Sequence, residues 1–215
     1  EQGVEPKRLI EKGLRSGRIA LRTEDRAERV PQHGVVGLAL DGRPQDLDGF
    51  VELAGGRLRG STALFERLTL EAFQSGLSWL IILRKRDNFR VAFDRFDIET
   101  VARYTDRDVT RLMADVGIVR NRAKIEATIA NARATLDLDV DLSDLLWSFA
   151  PPPRPRPAAI GDVPAQTPES RAMARELKRR GFRFVGPTTA YALMQATGMV
   201  DDHVANCWVS AAPGR

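Results

Sequence analysis

Sulfur and imidazole donors are scarce in this chain of 215 residues, which holds one cysteine, Cys207, and two histidines. A single thiol excludes an intramolecular disulfide and any cluster held by four thiolates of this chain. No run approaches the ~20 apolar residues of a membrane span. The opening Glu1-Gln2-Gly3-Val4-Glu5-Pro6 has neither the basic cluster nor the apolar stretch of a secretory signal. These absences set the expectation of a cytoplasmic protein with no membrane partner. Aromatics are missing in one place. Residues 1–60 contain no Trp or Tyr and only Phe50, so little core can be built there, and patches such as Ala54-Gly55-Gly56-Arg57-Leu58-Arg59-Gly60 predict a loosely ordered arm.

What is present fits one sizeable core, or one core built from two helical lobes, with 43% hydrophobic and 29% charged residues. The formal charge is only +4, but most of the positive residues are arginine, which points to phosphate or carboxylate partners. Distribution says more than the sum. Arg171, Arg175, Lys178, Arg179, Arg180 and Arg183 stand against the single acid Glu176 and lead into a glycine hairpin. Such a run is either a solvated helix face or a contact for a polyanion.

From Thr62 onward the text reads as helices. Segment 62–74 is amphipathic, and after a break at Ser75-Gly76 the run Leu77 to Phe93 reads as one second helix. Asp97 and Thr105 predict caps for helices at 98–104 and 106–116. Asn121 to Leu136 carries a stripe of Ile125, Ile129 and Ala132, and Leu142 to Phe149 follows Asp141 as a short apolar helix. Seven of the twelve prolines fall between Pro151 and Pro168, which marks 151–168 as a connector. Thr167-Pro168 opens a helix to about Arg180, Gly181 closes it, and Pro187 starts another that runs to Gly198. No strand pattern occurs after residue 60. The fold class is all-α, with a domain over 61–208 and a tail over 209–215.

One segment carries the chemistry. Leu64 and Leu68 precede Glu71 by seven and three residues, so Glu71 projects from an apolar face of the first helix. An unpaired buried carboxylate is costly, so donors must come from a ligand or from elsewhere in the fold. Eight residues on, Trp79 offers a flat surface for a ring. The pair reads either as a pocket for an aromatic ligand bearing donors, or as a carboxylate bonded to backbone N–H groups at Ser75-Gly76 beside an ordinary core indole. Further along, Phe184-Val185-Gly186-Pro187-Thr188-Thr189-Ala190 is a tight glycine turn feeding a helix start. Its N–H groups and axial dipole suit a phosphate, and its plainer reading is a helix–helix corner.

This turn, about sixteen residues ahead of Asp201-Asp202-His203, resembles the helix-hairpin-helix signature of DNA glycosylases, and Val116-Gly117-Ile118-Val119-Arg120-Asn121-Arg122-Ala123-Lys124-Ile125 matches an earlier turn of that superfamily. Within it the chain resembles the 3-methyladenine DNA glycosylase I (constitutive Tag) family. The blocks are Leu70-Glu71 through Leu80, Arg84-Lys85-Arg86, Gly117 to Ile125, Leu146-Trp147-Ser148-Phe149, Lys178 to Gly186, and Asp202-His203-Val204-Ala205-Asn206-Cys207. They span about residues 61–208.

The resemblance implies two helical lobes flanking a base-binding cleft. Double-stranded alkylated DNA would be the partner of a monomer that hydrolyses the N-glycosidic bond of 3-methyladenine. Glu71 would be the catalytic residue, accepting hydrogen bonds from an extruded base stacked on Trp79, with Tyr191 also lining the base pocket. Gly76 and Leu77 would wedge into the duplex, while Lys124, Arg183, Gly186, Thr188 and Thr189 would contact DNA. No lysine stands beside Asp201, so backbone cutting is not expected, and the role of Asp201 stays open. The competing readings are a non-enzymatic DNA-binding module and a broader-specificity glycosylase that uses Asp201 as base.

The family also implies a structural zinc closed by His203 and Cys207 with an N-terminal cysteine and histidine. Here residues 1–60 contain no cysteine, and their histidine, His33, sits in Pro31-Gln32-His33-Gly34. The family's N-terminal tryptophans and tyrosines are absent as well. An incomplete metal site with weak or no zinc binding is expected.

Overall fold

Leu64, Phe65, Leu68 and Phe73 recur at helical spacing and are all fully buried, which makes α1, Ser61–Gln74, the central element of the structure. The computed structural model describes residues 57–207; most of the expected N-terminal arm and the tail lie outside the described residues. The remaining α-helices are α2 Trp79–Arg84, α3 Arg86–Ala92, α4 Ile98–Ala102, α5 Asp106–Ala114, α6 Arg122–Leu136, α7 Leu142–Trp147, α8 Pro168–Arg179 and α9 Pro187–Ala196. No strand occurs among the described residues, in agreement with the all-α expectation.

Caps fall where the side chains predict them. Asp97 accepts from the Thr100 N–H at 2.9 Å, and Thr105 and Asp108 close a capping box at the start of α5. Asn121, Asp141 and Thr167 cap α6, α7 and α8 in the same way. The expectation of one helix from Leu77 to Phe93 is corrected. The backbone breaks at Lys85 (φ −102°, ψ 0°), separating α2 from α3, and the Lys85 ammonium donates to the carbonyls of Val116 (2.8 Å) and Gly117 (3.2 Å). A tertiary anchor thus ends a helix that local propensity would continue.

Helix α3 then runs into a turn that the sequence does not announce. Asp94, Arg95 and Phe96 have φ of 49°, 56° and 59°. Left-handed backbone costs an L-residue roughly 1–2 kcal/mol. The turn is held by stacking of Phe96 on Phe93 (centroids 5.7 Å apart, planes 6° apart) and by the Tyr104 hydroxyl, which donates to Asp94 at 2.5 Å. Around it Phe65, Phe73, Phe89, Phe93, Phe96 and Tyr104 form one aromatic cluster against α1. Helix α4 packs on α6, α8 on α9, and both α7 and α9 on α1. The connector 151–168 is irregular apart from a short turn at Ile160–Asp162. Its Arg156 pairs with Asp201 (3.0 Å), and its Pro157 carbonyl accepts from the Ala205 N–H (2.9 Å).

Candidate nucleic-acid and base-binding site

The apolar stripe of α1 does carry Glu71 inward, leaving it 1% exposed. Burial pushes its carboxyl up to about 7, against the opposing pull of Arg67. Arg67, one turn earlier on α1, is also buried, and desolvation holds its pKa below the usual guanidinium value despite the attraction of Glu71. Its Nε and Nη2 lie 3.1 and 3.0 Å from the same oxygen, Glu71 Oε1, while Oε2 is buried without a hydrogen-bond partner. The Arg67 guanidinium carbon also stands 4.5 Å from the ring centroid of Trp79. Neither reading of the sequence included this arginine. Both readings looked for donors from a ligand or from backbone N–H groups, whereas one comes from the preceding turn of the same helix.

Gly76 occupies a left-handed turn (φ 82°) after α1 and is exposed, while Leu77 is half-buried and packs against the core. Lys124 corrects the expectation of a DNA contact. It is 7% exposed, and its ammonium donates to the carbonyls of Phe73 (2.9 Å) and Ser75 (2.6 Å) at the end of α1. Those terminal carbonyls have no intrahelical donor, so a buried cation there satisfies them and the helix dipole together.

The second hairpin joins α8 to α9. Asn131 of α6, a residue the sequence did not single out, clamps it. Its Oδ1 accepts from the Arg183 N–H at 2.7 Å and its Nδ2 donates to the Arg183 carbonyl at 3.1 Å. A groove of about 540 Å³ runs beside the hairpin, lined by Arg171, Arg175, Lys178, Arg183, Phe184 and Gly186 among others. Of the six cations expected to act together, four line the groove. Arg179 and Arg180 do not, being paired with Glu176 at 2.8 and 2.6 Å. Gly186, Thr188 and Thr189 form the start of α9, with Gly186 and Thr188 exposed. Phe184, 45% exposed at φ 57°, stands at the rim.

With this geometry in place, likeness to known proteins is decisive. The profile of the family described as Methyladenine glycosylase matches residues 54–210. DNA-3-methyladenine glycosylase 1 of Escherichia coli (strain K12) is 44% identical over 152 residues, 68% of this chain and 81% of its own length. The chain belongs to the methyladenine glycosylase family. DNA-3-methyladenine glycosylase of Haemophilus influenzae (strain ATCC 51907 / DSM 11121 / KW20 / Rd) is 42% identical over 155 residues, covering 68% of this chain and 82% of its own. A crystal structure of a variant 3-methyladenine DNA glycosylase I in complex with 3-methyladenine has 34% identity and a TM-score of 0.69, covering 72% of this chain and 86% of that one.

In this methyladenine glycosylase Tyr191 is buried, and its hydroxyl donates to Asp202 and accepts from Arg154. Arg154 also pairs with Asp202 at 2.6 Å, and Gln195 donates to it at 2.9 Å. The Tyr191 hydroxyl is therefore engaged within the protein, leaving the ring as its contribution to any pocket. Asp201 is held by Arg156 at 3.0 Å, an engagement within the protein. His203 Nδ1 and Cys207 Sγ lie 3.5 Å apart across the turn at Ala205-Asn206, and no group of three or more metal-binding side chains occurs among the described residues. Beyond this pair the whole chain offers one more imidazole, His33, and no further thiol. That donor set falls short of the four nitrogen and sulfur ligands of a closed structural zinc site.

Proposed function

We propose that this chain excises 3-methyladenine from alkylated double-stranded DNA by hydrolysing its N-glycosidic bond, as a cytoplasmic monomer, and leaves an abasic site without cutting the backbone. The observation that carries the reading is the buried Glu71 carboxylate with one unpartnered oxygen, whose partner Arg67 stands over the Trp79 indole. Adenine methylated at N3 within DNA is cationic, so its bond to the sugar is already weakened. The breaking bond leaves its electron pair on the base and an oxocarbenium-like centre on C1′. Water adds to C1′ and gives up a proton, and the released base is neutral. Glu71 complements the positive charge of the extruded base, and flipping costs only a few kcal/mol, least for a damaged pair. The groove beside α8 and the start of α9 supply the cationic and backbone N–H contacts for phosphates. Neither a lysine nucleophile nor a strong aspartate base is required, which suits the ion-paired state of Asp201.

Release of free 3-methyladenine from methylated DNA by this chain and by Glu71→Gln tests the reading. We expect release by the chain and a loss of roughly 10- to 100-fold in the variant, the 1.5–3 kcal/mol of a hydrogen bond to a charged group. Duplex binding with no release by the unaltered chain would leave only a DNA-binding module.

A further inference from the structure

The two contacts that Glu71 and Trp79 would offer an extruded base are both made by Arg67. Its planar cation stands over the indole at 4.5 Å, donates from Nε to the carboxylate at 3.1 Å and brings Nη2 within 3.0 Å of the same oxygen as an ion pair. A guanidinium is a flat, positively charged group with donors along its edge. In these respects it copies a methylated adenine cation.

We propose that Arg67 is a resident occupant of the base site, one that an incoming methylated base displaces and that reclaims Glu71 after the bond is cut. The inference rests on Glu71 and Trp79 forming the base site, as proposed above. Its physical content is a threshold. Removing Arg67 from Glu71 penalises every base by the same amount, so apparent affinity falls by the fraction of molecules in which the site is vacated. A cationic base, covalently held in DNA, repays that penalty by pairing with the carboxylate. Cleavage neutralises the base and cuts its tether at once. The neutral product then competes poorly with a tethered guanidinium only one helical turn away. Arg67 acts here as a positioning residue: it meets the base site through Glu71 and Trp79 and takes no part in bond breaking.

The test compares the full chain with Arg67→Met, which keeps length and loses charge, and with Arg67→Lys, which keeps charge and loses the planar stack. Calorimetry gives the affinity for two probes, free 3-methyladenine and the fixed cation 3,9-dimethyladenine. Rapid-quench assays on methylated duplex give single- and multiple-turnover rates. We expect Arg67→Met to bind both probes at least about tenfold tighter, because the removed penalty is common to both, with the smaller gain for the fixed cation, since Glu71 holds its proton more firmly once Arg67 is gone. Its multiple-turnover rate should fall relative to its single-turnover rate as product lingers. Arg67→Lys should lie between the two, and decides alone if Arg67→Met does not fold. Unchanged or weaker binding of both probes in the folded variants overturns the proposal. Failure of the unaltered chain to release any 3-methyladenine would instead overturn the functional reading.

Discussion

At the scale of single residues, Glu71 and Lys124 show how far a charge can be read from the chain. The Leu64–Leu68 stripe made the burial of Glu71 legible, since position on an apolar face needs only helical spacing. Arg67 escaped, because an arginine four residues before a glutamate is also the pattern of an exposed surface pair. Lys124 misled for a similar reason: its partners are carbonyls 49 and 51 residues away, which no local pattern reveals. The raised carboxyl of Glu71 has a measurable consequence. The group facing it is Arg67, itself flanked by Arg86 of α3 and Glu66 of α1. Since the carboxylate form is needed to pair with a cationic base, the single-turnover rate should climb as pH rises through about 7. Stability should move the other way. A carboxyl lifted from 4.5 to about 7 by folding keeps a proton that the unfolded chain releases, so its contribution is full below 4.5 and is lost as pH rises through about 7. Melting temperatures of the chain and of Glu71→Gln, measured between about pH 5 and about pH 8, should therefore converge or cross as the medium turns alkaline.

Among the elements, helices with a side-chain cap or a glycine or proline boundary were readable, as α4 to α9 illustrate. The break at Lys85 was not, since neither glycine nor proline marks it and the interaction that ends α2 is with the turn at Val116-Gly117. The left-handed turn at Asp94–Phe96 was equally silent, because aromatic packing rather than residue preference imposes it. The hairpin between α8 and α9 was visible as a motif, but not the clamp that fixes its shape. Asn131 is 1% exposed and spends both ends of its amide on Arg183. Asn131→Ala should cost about 1–3 kcal/mol in urea unfolding, from two lost hydrogen bonds in a buried setting. It should also weaken binding to undamaged and methylated duplex by a similar factor, because the hairpin grips the backbone rather than the lesion. A loss confined to methylated duplex would contradict that assignment.

For the molecule as a whole, the all-α architecture and the family were legible because several separated blocks occur in the right order. What lay beyond reach was how the proline-rich connector meets the C-terminal segment. Composition marks a stretch that avoids regular helix, but not which of its charges turn inward. The metal question also belongs to this scale. With His203 and Cys207 supplying only a pair of strong donors, the purified chain should contain well under one zinc per molecule, and a chelator should leave its melting temperature unchanged. Stoichiometric metal with chelator-sensitive melting would show a fuller ligand set. The connector itself works as a strap with ion-pair buckles near its start, and with Val163 against the core and Thr167 buried towards its far side. Arg154, Arg156 and Pro157 fasten it to Asp202, Asp201 and Ala205, whereas the exposed residues 158–162 hang over solvent. Length can therefore drift in the slack portion without reaching the interior. Slippage by even one position at the ion-paired end would put the wrong side chains opposite two aspartates and strip Tyr191 of its neighbours.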